Sequence, residues 1–243
     1  MPRFFISSES VEDGSFTPFP DDIKHIVNVL RMKEGELLTL CDSKGFDYKC
    51  RIKDISKNSI SLELISKNKS VSEPEVKITL YQGIPKQDKM ELIIQKAVEL
   101  GIYRIVPVDT ERAIVSLKGK EDKKISRWQK IAESASKQSG RGIVPEIAQV
   151  MTFKEAVSEA SKERLSFIPY ELEEEKLLSN IIRGFSGESM SYFIGPEGGF
   201  SEKEVELARE HEIIPVSLGK RILRTETAGL AVLSAIMYEL GEL

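Results

Sequence analysis

The 243-residue sequence predicts an α/β protein, in which a small β-rich module precedes a domain with a mostly parallel sheet. Short apolar runs of strand length dominate residues 1–70. From Val76 onward, short apolar strands alternate with amphipathic helices, which is typical of a parallel sheet with helices on both faces. A polar stretch that ends in a proline, residues 67–74, lies between the two regions and predicts a domain boundary there.

The first module is predicted to contain four strands and one helix. The strands are expected at residues 3–6, 37–41, 46–55 and 59–65. The helix begins near Pro20, and its buried face is formed by Ile23, Ile26, Val27 and Leu30. His25, Asn28 and Arg31 fall on a different, polar face of this helix. One of them could contact a nucleic-acid phosphate or base edge, or the whole face could simply be solvated.

The cysteines and histidines predict neither a disulfide nor a metal site. Cys41 and Cys50 flank a predicted hairpin turn at residues 42–45, and Cys41 is expected to face Phe46 rather than Cys50. Only two histidines are present, and no Cys/His cluster occurs. No run of 18 apolar residues exists, so no membrane span is predicted and the chain is expected to be cytoplasmic.

The second domain is predicted to alternate strands and helices. Strands are expected at residues 76–82, 104–108, 165–169, 192–194 and 213–218. Asp88 is expected to cap the first helix, and further helices are expected at 120–139 and near 153–161, 175–183 and 201–211. The last helix, capped by Thr225 or Thr227 and running to Leu240, is apolar almost all round. Such a helix is buried, either in the core or against a second subunit.

The stretch from residue 191 to residue 204 predicts a ligand site. A short apolar strand is followed by Gly195-Pro196-Glu197-Gly198-Gly199, and Ser201 and Glu204 then form a capping box that starts a helix. A strand, a glycine turn and a capped helix build a ligand site at the carboxyl end of a strand in α/β proteins. Alternatively, the glycines only make a tight connection. Neither G-x-x-x-x-G-K-[ST] nor G-x-G-x-x-G occurs, which excludes the standard triphosphate and dinucleotide loops.

The charge distribution predicts one basic surface. The net charge of −4 argues against nucleic acid at first, but residues 112–141 contain nine Lys or Arg and only three acidic residues. A local excess of this size can attract a polyanion even when the whole chain is acidic. The alternative is a solvated helix face. The candidate RNA contacts in this region are Arg112, Lys123, Lys124 and Arg127.

Two motifs resemble the SPOUT-class RNA methyltransferases, and most closely the RsmE family, which makes N3-methyluridine in bacterial 16S ribosomal RNA. They are the glycine turn at 195–199 and Leu218-Gly-Lys-Arg-Ile-Leu-Arg-Thr-Glu-Thr-Ala228. Shorter matches at His25, Leu30-Arg31, 95–101, Glu111-Arg112 and 138–141 extend the resemblance over essentially the whole chain. It implies a PUA-like RNA-binding barrel at residues 1–70, a SPOUT methyltransferase domain at 74–243 with a C-terminal trefoil knot, and a homodimer.

The resemblance also implies S-adenosylmethionine, held by three loops that follow strands. The residues implied to bind it are Ile168, Pro169 and Tyr170 in the first loop, Ile194, Gly195, Pro196, Glu197, Gly198 and Gly199 in the second, and Leu218, Gly219, Ile222, Leu223 and Thr225 in the third. Methylation at uracil N3 requires loss of the N3 proton, for which Glu226, or a water that it holds, is the candidate base. Arg141 or Arg224 could stabilise negative charge on the uracil oxygens. The alternatives are a helix-stabilising role for Glu226 and phosphate binding for Arg141.

Two other functions stay open from the sequence. One is a SPOUT-class ribose 2′-O-methyltransferase acting on rRNA or tRNA, which product analysis would distinguish because base methylation leaves the 2′-hydroxyl free. The other is a non-catalytic RNA-binding adaptor, which a cofactor titration would reveal. The leading prediction is S-adenosylmethionine-dependent methylation of a uridine N3 in 16S rRNA, with the small ribosomal subunit as the expected partner.

Overall fold

The computed structural model describes residues 1–56, 59–115, 117 and 119–243. The chain divides into two compact units, residues 1–73 with 136–144, and residues 74–135 with 145–243. The sequence gives no sign that residues 136–144 group with the first unit. The domain limits of 1–70 and 74–243 therefore stay a prediction.

The first unit is built on a four-stranded sheet in the order β1-β2-β3-β4. Its strands are β1 (Arg3–Phe5), β2 (Leu37–Cys41), β3 (Phe46–Ile55) and β4 (Ile60–Lys69), of which β1 and β2 are parallel and the others antiparallel. These strands confirm the four predicted ones, although β4 is longer than expected. Two helices of five residues precede β2, α1 (Ser8–Glu12) and α2 (Pro20–Lys24). The sequence does not predict α1, because five residues are too few for a periodic apolar pattern.

The predicted helix near Pro20 changes its winding midway. α2 continues into a π-helical turn at His25–Val29, and the N–H of Leu30 donates to the carbonyl of His25 at 3.0 Å. The wider turn moves later residues out of phase with a 3.6-residue repeat. Leu30 is 41 % exposed, so the prediction that it belongs to the buried face is wrong, whereas Ile23 and Ile26 are buried as predicted.

The hairpin between β2 and β3 lies at residues 42–45 as predicted, but its register differs by one residue. Cys41 pairs with Asp47 rather than with Phe46, and Cys50 pairs with Leu38. Both cysteines are buried and free. The carboxylate of Asp42 accepts hydrogen bonds from the N–H groups of Lys44 and Phe46 at 2.8 and 3.1 Å, which stabilises the turn.

The second unit is a parallel sheet with helices packed against it, which confirms the predicted class. Its order is β11-β9-β10-β5-β6-β7, with β8 beside β6, and every pairing is parallel. The strands are β5 (Lys77–Gly83), β6 (Arg104–Asp109), β7 (Glu146–Ile147), β8 (Met151–Thr152), β9 (Ser166–Pro169), β10 (Ser189–Ile194) and β11 (Ile214–Val216). The two-residue strands β7 and β8 were not predicted, because pairs of residues carry no periodicity.

The helices of this region are α3 (Lys89–Glu99), α4 (Glu121–Ser139), α5 (Phe153–Ala160), α6 (Leu178–Ile182), α7 (Glu202–Glu210) and α8 (Thr225–Leu240). Ser201 and Glu204 form both hydrogen bonds of the predicted capping box at α7. Of the other two predicted caps, the position of Asp88 is confirmed and the cap of α8 is wrong. Asp88 occupies the N-cap position of α3 without a side-chain hydrogen bond, and Arg224, not Thr225 or Thr227, occupies that of α8.

α8 belongs to the core of the second unit. It packs against α3 and β10, and Val232, Leu233, Ile236 and Met237 are fully buried. The hydroxyl of Tyr192 in β10 donates to the carbonyl of Gly229 at 3.0 Å and fixes the start of the helix on the sheet. The chain leaves β11 at the edge of the sheet and reaches Thr225, which bonds to Gly195 after β10, so it crosses the end of β9. This crossing is consistent with the implied knot, which itself stays an expectation.

Candidate active site

The loops that follow β9, β10 and β11 line one cavity of about 990 Å³ at the carboxyl edge of the sheet. All the residues predicted to bind the cofactor line this cavity, with the exception of Ile168. Ile168 is fully buried in the core of the sheet instead, because it precedes the end of β9. Arg224, the candidate catalytic residue, also lines the cavity, and ten further lining residues were not among those predicted; they are Lys89, Glu171, Glu173, Glu174, Leu177, Phe200, Ser217, Lys220, Arg221 and Ala228.

Two of the glycines in this turn are required by its backbone geometry. A Cβ on Gly195 would lie 3.0 Å from the backbone of Gly199, which is closer than ordinary van der Waals contact. Gly199 has a φ of +66°, and its N–H donates to the carbonyl of Pro196 at 3.0 Å. The geometry of the turn therefore accounts for glycine at positions 195 and 199, and no bound ligand is needed to explain them. The case for a ligand site rests on the cavity rather than on the glycines.

The loop after β6 supports the glycine turn from one side. The guanidinium of Arg112 donates to the carbonyl of Gly198 at 3.1 Å. The backbone N–H of Glu111 donates to the Glu204 carboxylate at 2.8 Å, and the Ser201 hydroxyl donates to the Glu111 carboxylate at 2.7 Å. Arg112 is exposed, and its contact with Gly198 gives it a role in holding the turn. Its contact with RNA stays a prediction.

Lys89 joins the glycine turn to the start of α8. Its Nζ lies 3.0 Å from Oε1 of Glu197 and 3.2 Å from Oε2 of Glu226. The hydrogen bonds to Glu197 and Glu226 raise the pKa of Lys89. The pKa of Glu226 is lowered, first by the hydrogen bond from its own backbone N–H and then by Lys89, while burial opposes the change. A carboxylate with a lowered pKa is a weak base, so the helix-stabilising reading of Glu226 is the better supported one.

Arg224 and Thr225 lie where the third loop meets α8. Arg224 is exposed, lines the cavity and occupies the N-cap position of the helix. Backbone N–H groups at a helix N-terminus favour negative charge nearby, and a guanidinium there adds to this field. The hydroxyl of Thr225 donates to the carbonyl of Gly195 at 2.7 Å, so it is used between loops rather than as a helix cap.

Arg141 lies in the first unit and is only 3 % exposed. Its Nη2 is 2.6 Å from Oε2 of Glu73, and the other oxygen of this carboxylate accepts the N–H groups of Gly142 and Ile143 at 2.7 and 3.1 Å. These hydrogen bonds connect residues 136–144 to Glu73, at the end of residues 1–73. Its burial argues against both predicted roles of Arg141, catalysis and phosphate binding, and favours a structural one.

His25, Asn28 and Arg31 are all exposed on the first unit, as predicted. His25 and Asn28 belong to the π-helical turn, and Arg31 follows it with a φ of +53°. The ring of His25 meets the ring of Phe4 edge-on, with 6.3 Å between the centroids. These three side chains are accessible to RNA, and their role in binding it stays a prediction.

The basic region on α4 is partly neutralised. Arg127 forms an ion pair with Glu91 at 2.8 Å, and Lys137 forms one with Asp22 at 2.7 Å. Within the described part of the chain, no ion pair involves Lys123 or Lys124, and Lys123 is exposed. Lys118, one of the nine basic residues counted in this region, lies outside the described residues.

Among the residues that the structure describes, no helix is both long and apolar enough to cross a membrane. In the same part of the chain, no group of three or more His, Cys, Asp and Glu side chains could hold a metal ion.

Comparison with known proteins identifies the family. A family model described as an RNA methyltransferase domain matches residues 72–237, and one described as an RNA methyltransferase PUA domain matches residues 20–65. The ribosomal RNA small subunit methyltransferase E of Bacillus subtilis is 37 % identical over 251 aligned residues, covering 98 % of this chain and 97 % of that protein. The chain belongs to this family of RNA methyltransferases. The predicted PUA-like module and SPOUT-type α/β domain are thereby confirmed as the fold class.

Solved structures of similar chains carry the cofactor. The ribosomal RNA small subunit methyltransferase E of Neisseria gonorrhoeae, bound to S-adenosyl methionine, matches this methyltransferase with a TM-score of 0.84 and 36 % identity, covering 98 % and 97 % of the two chains. A Legionella pneumophila protein in complex with the same cofactor matches with a TM-score of 0.82 and 33 % identity, covering 97 % and 96 %. Among sequences, the Aquifex aeolicus methyltransferase E is 32 % identical, covering 89 % and 91 %.

Lys89 is the most informative residue that the sequence did not mark. Its partners Glu197 and Glu226 lie far along the chain, so no local spacing connects the three. Its position in the sequence was the one available signal. A lysine in the first turn of a helix interacts unfavourably with the helix dipole, and nearby acidic side chains would offset this.

Proposed function

We propose that this methyltransferase transfers the methyl group of S-adenosylmethionine to N3 of a uridine in bacterial 16S ribosomal RNA. The observation that carries the proposal is the meeting of three loops, each at the carboxyl end of a strand, around one cavity at the positions that the motifs indicated. The relative from Neisseria gonorrhoeae, which has bound cofactor and a nearly full-length match, supports the choice of ligand.

The cavity offers what this cofactor needs. Pro169, Ile194 and Leu218 give apolar contact for an adenine ring, and the glycine turn presents backbone groups. Acidic side chains lie on the loop after β9 and basic side chains on the loop after β11, which suits a ligand with an ammonium and a carboxylate; they are Glu171, Glu173 and Glu174, and Lys220, Arg221 and Arg224. When bound, the sulfonium supplies an already activated methyl group, so alignment and exclusion of water are the main tasks of the protein.

We assign the stabilisation of the uracil anion, which forms when the N3 proton passes to water, to Arg224 and the N-terminus of α8. Uracil N3 must lose its proton, and positive charge near the uracil oxygens favours the resulting anion. Arg224 is exposed at the cavity and sits at the positive end of the helix. Glu226, with its lowered pKa, holds Lys89 and the glycine turn in place rather than accepting the proton.

We also propose how the RNA is held. The exposed residues His25, Asn28 and Arg31 of the PUA domain position it, and Lys123, Lys124 and Arg112 attract its phosphates. Arg127 contributes less because it is paired with Glu91. The substrate is 16S rRNA in the small ribosomal subunit, which places the reaction in the cytoplasm.

A homodimer fits one face of α8. The last helix was expected to be buried in the core or against a second subunit, and Leu233, Ile236 and Met237 are buried in the core. The outward face consists instead of Thr227, Ala231 and Tyr238, which are exposed, with Leu230 and Ser234 partly exposed between them. These residues follow the i, i+4, i+7, i+11 spacing of one helix face, and they carry no charge. We propose that this face packs against the same face of a second copy.

The experiment that tests the function is methyl transfer from labelled S-adenosylmethionine to small ribosomal subunits and to naked 16S rRNA. Transfer of the labelled methyl group to RNA would support an enzyme. RNA binding without transfer of the label would favour the non-catalytic RNA-binding adaptor. Alkaline hydrolysis then separates the two methylation types, because a 2′-O-methyl group protects the adjacent phosphodiester and a base methyl does not.

A further inference from the structure

A buried amide lies directly beneath the cofactor loops. Gln82, near the end of β5, is 0 % exposed. Its Nε2 donates to the carbonyl of Gly83 at 2.9 Å and to the hydroxyl of Thr225 at 3.0 Å. The Thr225 hydroxyl in turn donates to the carbonyl of Gly195 at 2.7 Å. These hydrogen bonds connect β5, the start of α8 and the glycine turn.

The chemistry of Thr225 fixes the orientation of the amide. A hydroxyl has one proton, and here it is given to the carbonyl of Gly195. Its other contact must therefore come from a donor, and the NH₂ group of Gln82 is the group in reach. Hydrogen bonds in series inside a protein strengthen each other, so the chain from Gln82 through Thr225 to Gly195 acts as a unit.

Stability alone does not explain this glutamine. Its Oε1 is buried and, among the residues described, has no hydrogen-bond partner. It faces Gly229 of α8, where an added Cβ would lie 3.6 Å away. A buried unpaired carbonyl oxygen destabilises the folded state, and an apolar side chain of the same shape would remove that cost. A residue that lowers the stability of the folded state in this way is expected at sites that serve function.

We propose that Gln82 is a positioning residue for the cofactor site. Its amide holds the Thr225 hydroxyl on the carbonyl of Gly195 and so fixes the third loop relative to the glycine turn. Both Gly195 and Thr225 line the cavity, whereas Gln82 does not. The inference rests on the proposed function, because it assumes that the cavity binds S-adenosylmethionine.

The first test replaces Gln82 by methionine, which keeps the length of the side chain and removes its donors. S-adenosylmethionine should bind roughly tenfold more weakly to Gln82→Met by calorimetry, since a hydrogen-bonded link of this kind is lost. The melting temperature should change little, and turnover at saturating cofactor should stay near that of the wild type while KM for the cofactor rises. The matched control is Ser191→Ala, which removes a fully buried hydrogen bond to Ser166 at 2.7 Å within the sheet and should leave cofactor affinity unchanged.

Three further variants keep the inference testable if Gln82→Met folds poorly. A protonated glutamic acid can donate one hydrogen bond, so Gln82→Glu should bind the cofactor well at low pH and lose affinity as its buried carboxyl ionises. Thr225→Ser, which keeps the hydroxyl, should bind better than Thr225→Val.

Wild-type affinity in folded Gln82→Met, or an affinity of Gln82→Glu that follows the wild type across pH, would overturn the assignment. If the wild-type protein itself binds no S-adenosylmethionine, the proposed function fails instead.

Discussion

The guanidinium of Arg141 is buried against the carboxylate of Glu73, with 2.6 Å between Nη2 and Oε2. The same carboxylate accepts two backbone N–H groups that follow Arg141, so it has partners on both oxygens. Arg141 was a candidate for catalysis because of its place in a family motif. The contact with Glu73 instead explains how residues 136–144 become part of the first unit.

Arg141→Ala should therefore destabilise the protein rather than act on the chemical step. Removing one partner of a buried ion pair costs about 3–5 kcal/mol, which urea unfolding should detect. Glu73→Gln should cause a loss of the same kind. The control is Arg51→Ala in the same unit, whose exposed pair with Glu63 at 3.8 Å should contribute about 1 kcal/mol or less. A loss of single-turnover rate in Arg141→Ala without a loss of stability would restore the catalytic role.

Lys89→Met should lower the melting temperature in a pH-dependent way. The pKa of Glu226 is lowered, first by its own backbone N–H and then by Lys89, and that of Glu197 is lowered because Lys89 and backbone donors outweigh its burial. Carboxylates with a lowered folded-state pKa stabilise above the unfolded pKa of about 4.3, and this stabilisation is lost as pH falls through the folded-state pKa. The difference in melting temperature between the wild type and Lys89→Met should thus be largest near pH 7 and should decrease as the pH falls. Lys96→Met, which breaks a partly exposed pair with Glu99 on the same helix, is the control. A loss of melting temperature in Lys89→Met that is constant with pH would exclude the ion pairs as its cause.

Lys123→Ala and Lys124→Ala should each weaken RNA binding in proportion to one phosphate contact. Each lost contact lowers the slope of log affinity against log salt by about one unit. Arg127→Ala should lower the slope less, because Arg127 already pairs with Glu91 at 2.8 Å. Equal slopes for Lys123→Ala and Arg127→Ala in filter-binding titrations would contradict this ranking. Cofactor affinity should be the same in all three variants.

The double variant Ala231→Glu/Tyr238→Glu should be a folded monomer. Both residues are exposed on the uncharged outward face of α8, where four added charges across a symmetric interface would repel. Light scattering should give the mass of one chain for this variant and of two chains for the wild type. Leu233→Ala, at a fully buried position, should lose about 2–5 kcal/mol of stability without a change in mass. A dimeric double variant would show that the interface lies elsewhere.

The sequence predicted the parts of the fold that depend on local pattern, and the site residues through family motifs. The strand–helix alternation that predicted β5, β6, β9, β10 and β11, and the capping box at Ser201, needed no information from distant parts of the chain. The sequence could not predict the burial of Arg141, because its partner Glu73 lies in another part of the chain. Leu30 was misplaced because the π-helical turn before it breaks the 3.6-residue period. The sequence did not indicate Gln82 or Lys89 as site residues, because their partners also lie in distant parts of the chain.

The most direct test of the central claim is mass analysis of the nucleosides of 16S rRNA after reaction with the protein and isotopically labelled S-adenosylmethionine. We expect one labelled nucleoside that co-elutes with 3-methyluridine and whose base fragment carries the labelled methyl group. Arg224→Ala should give much less of this product, because the positive charge near the uracil oxygens is reduced. A labelled methyl group found on the ribose fragment, or no labelled nucleoside from a protein that binds both RNA and cofactor, would contradict the account.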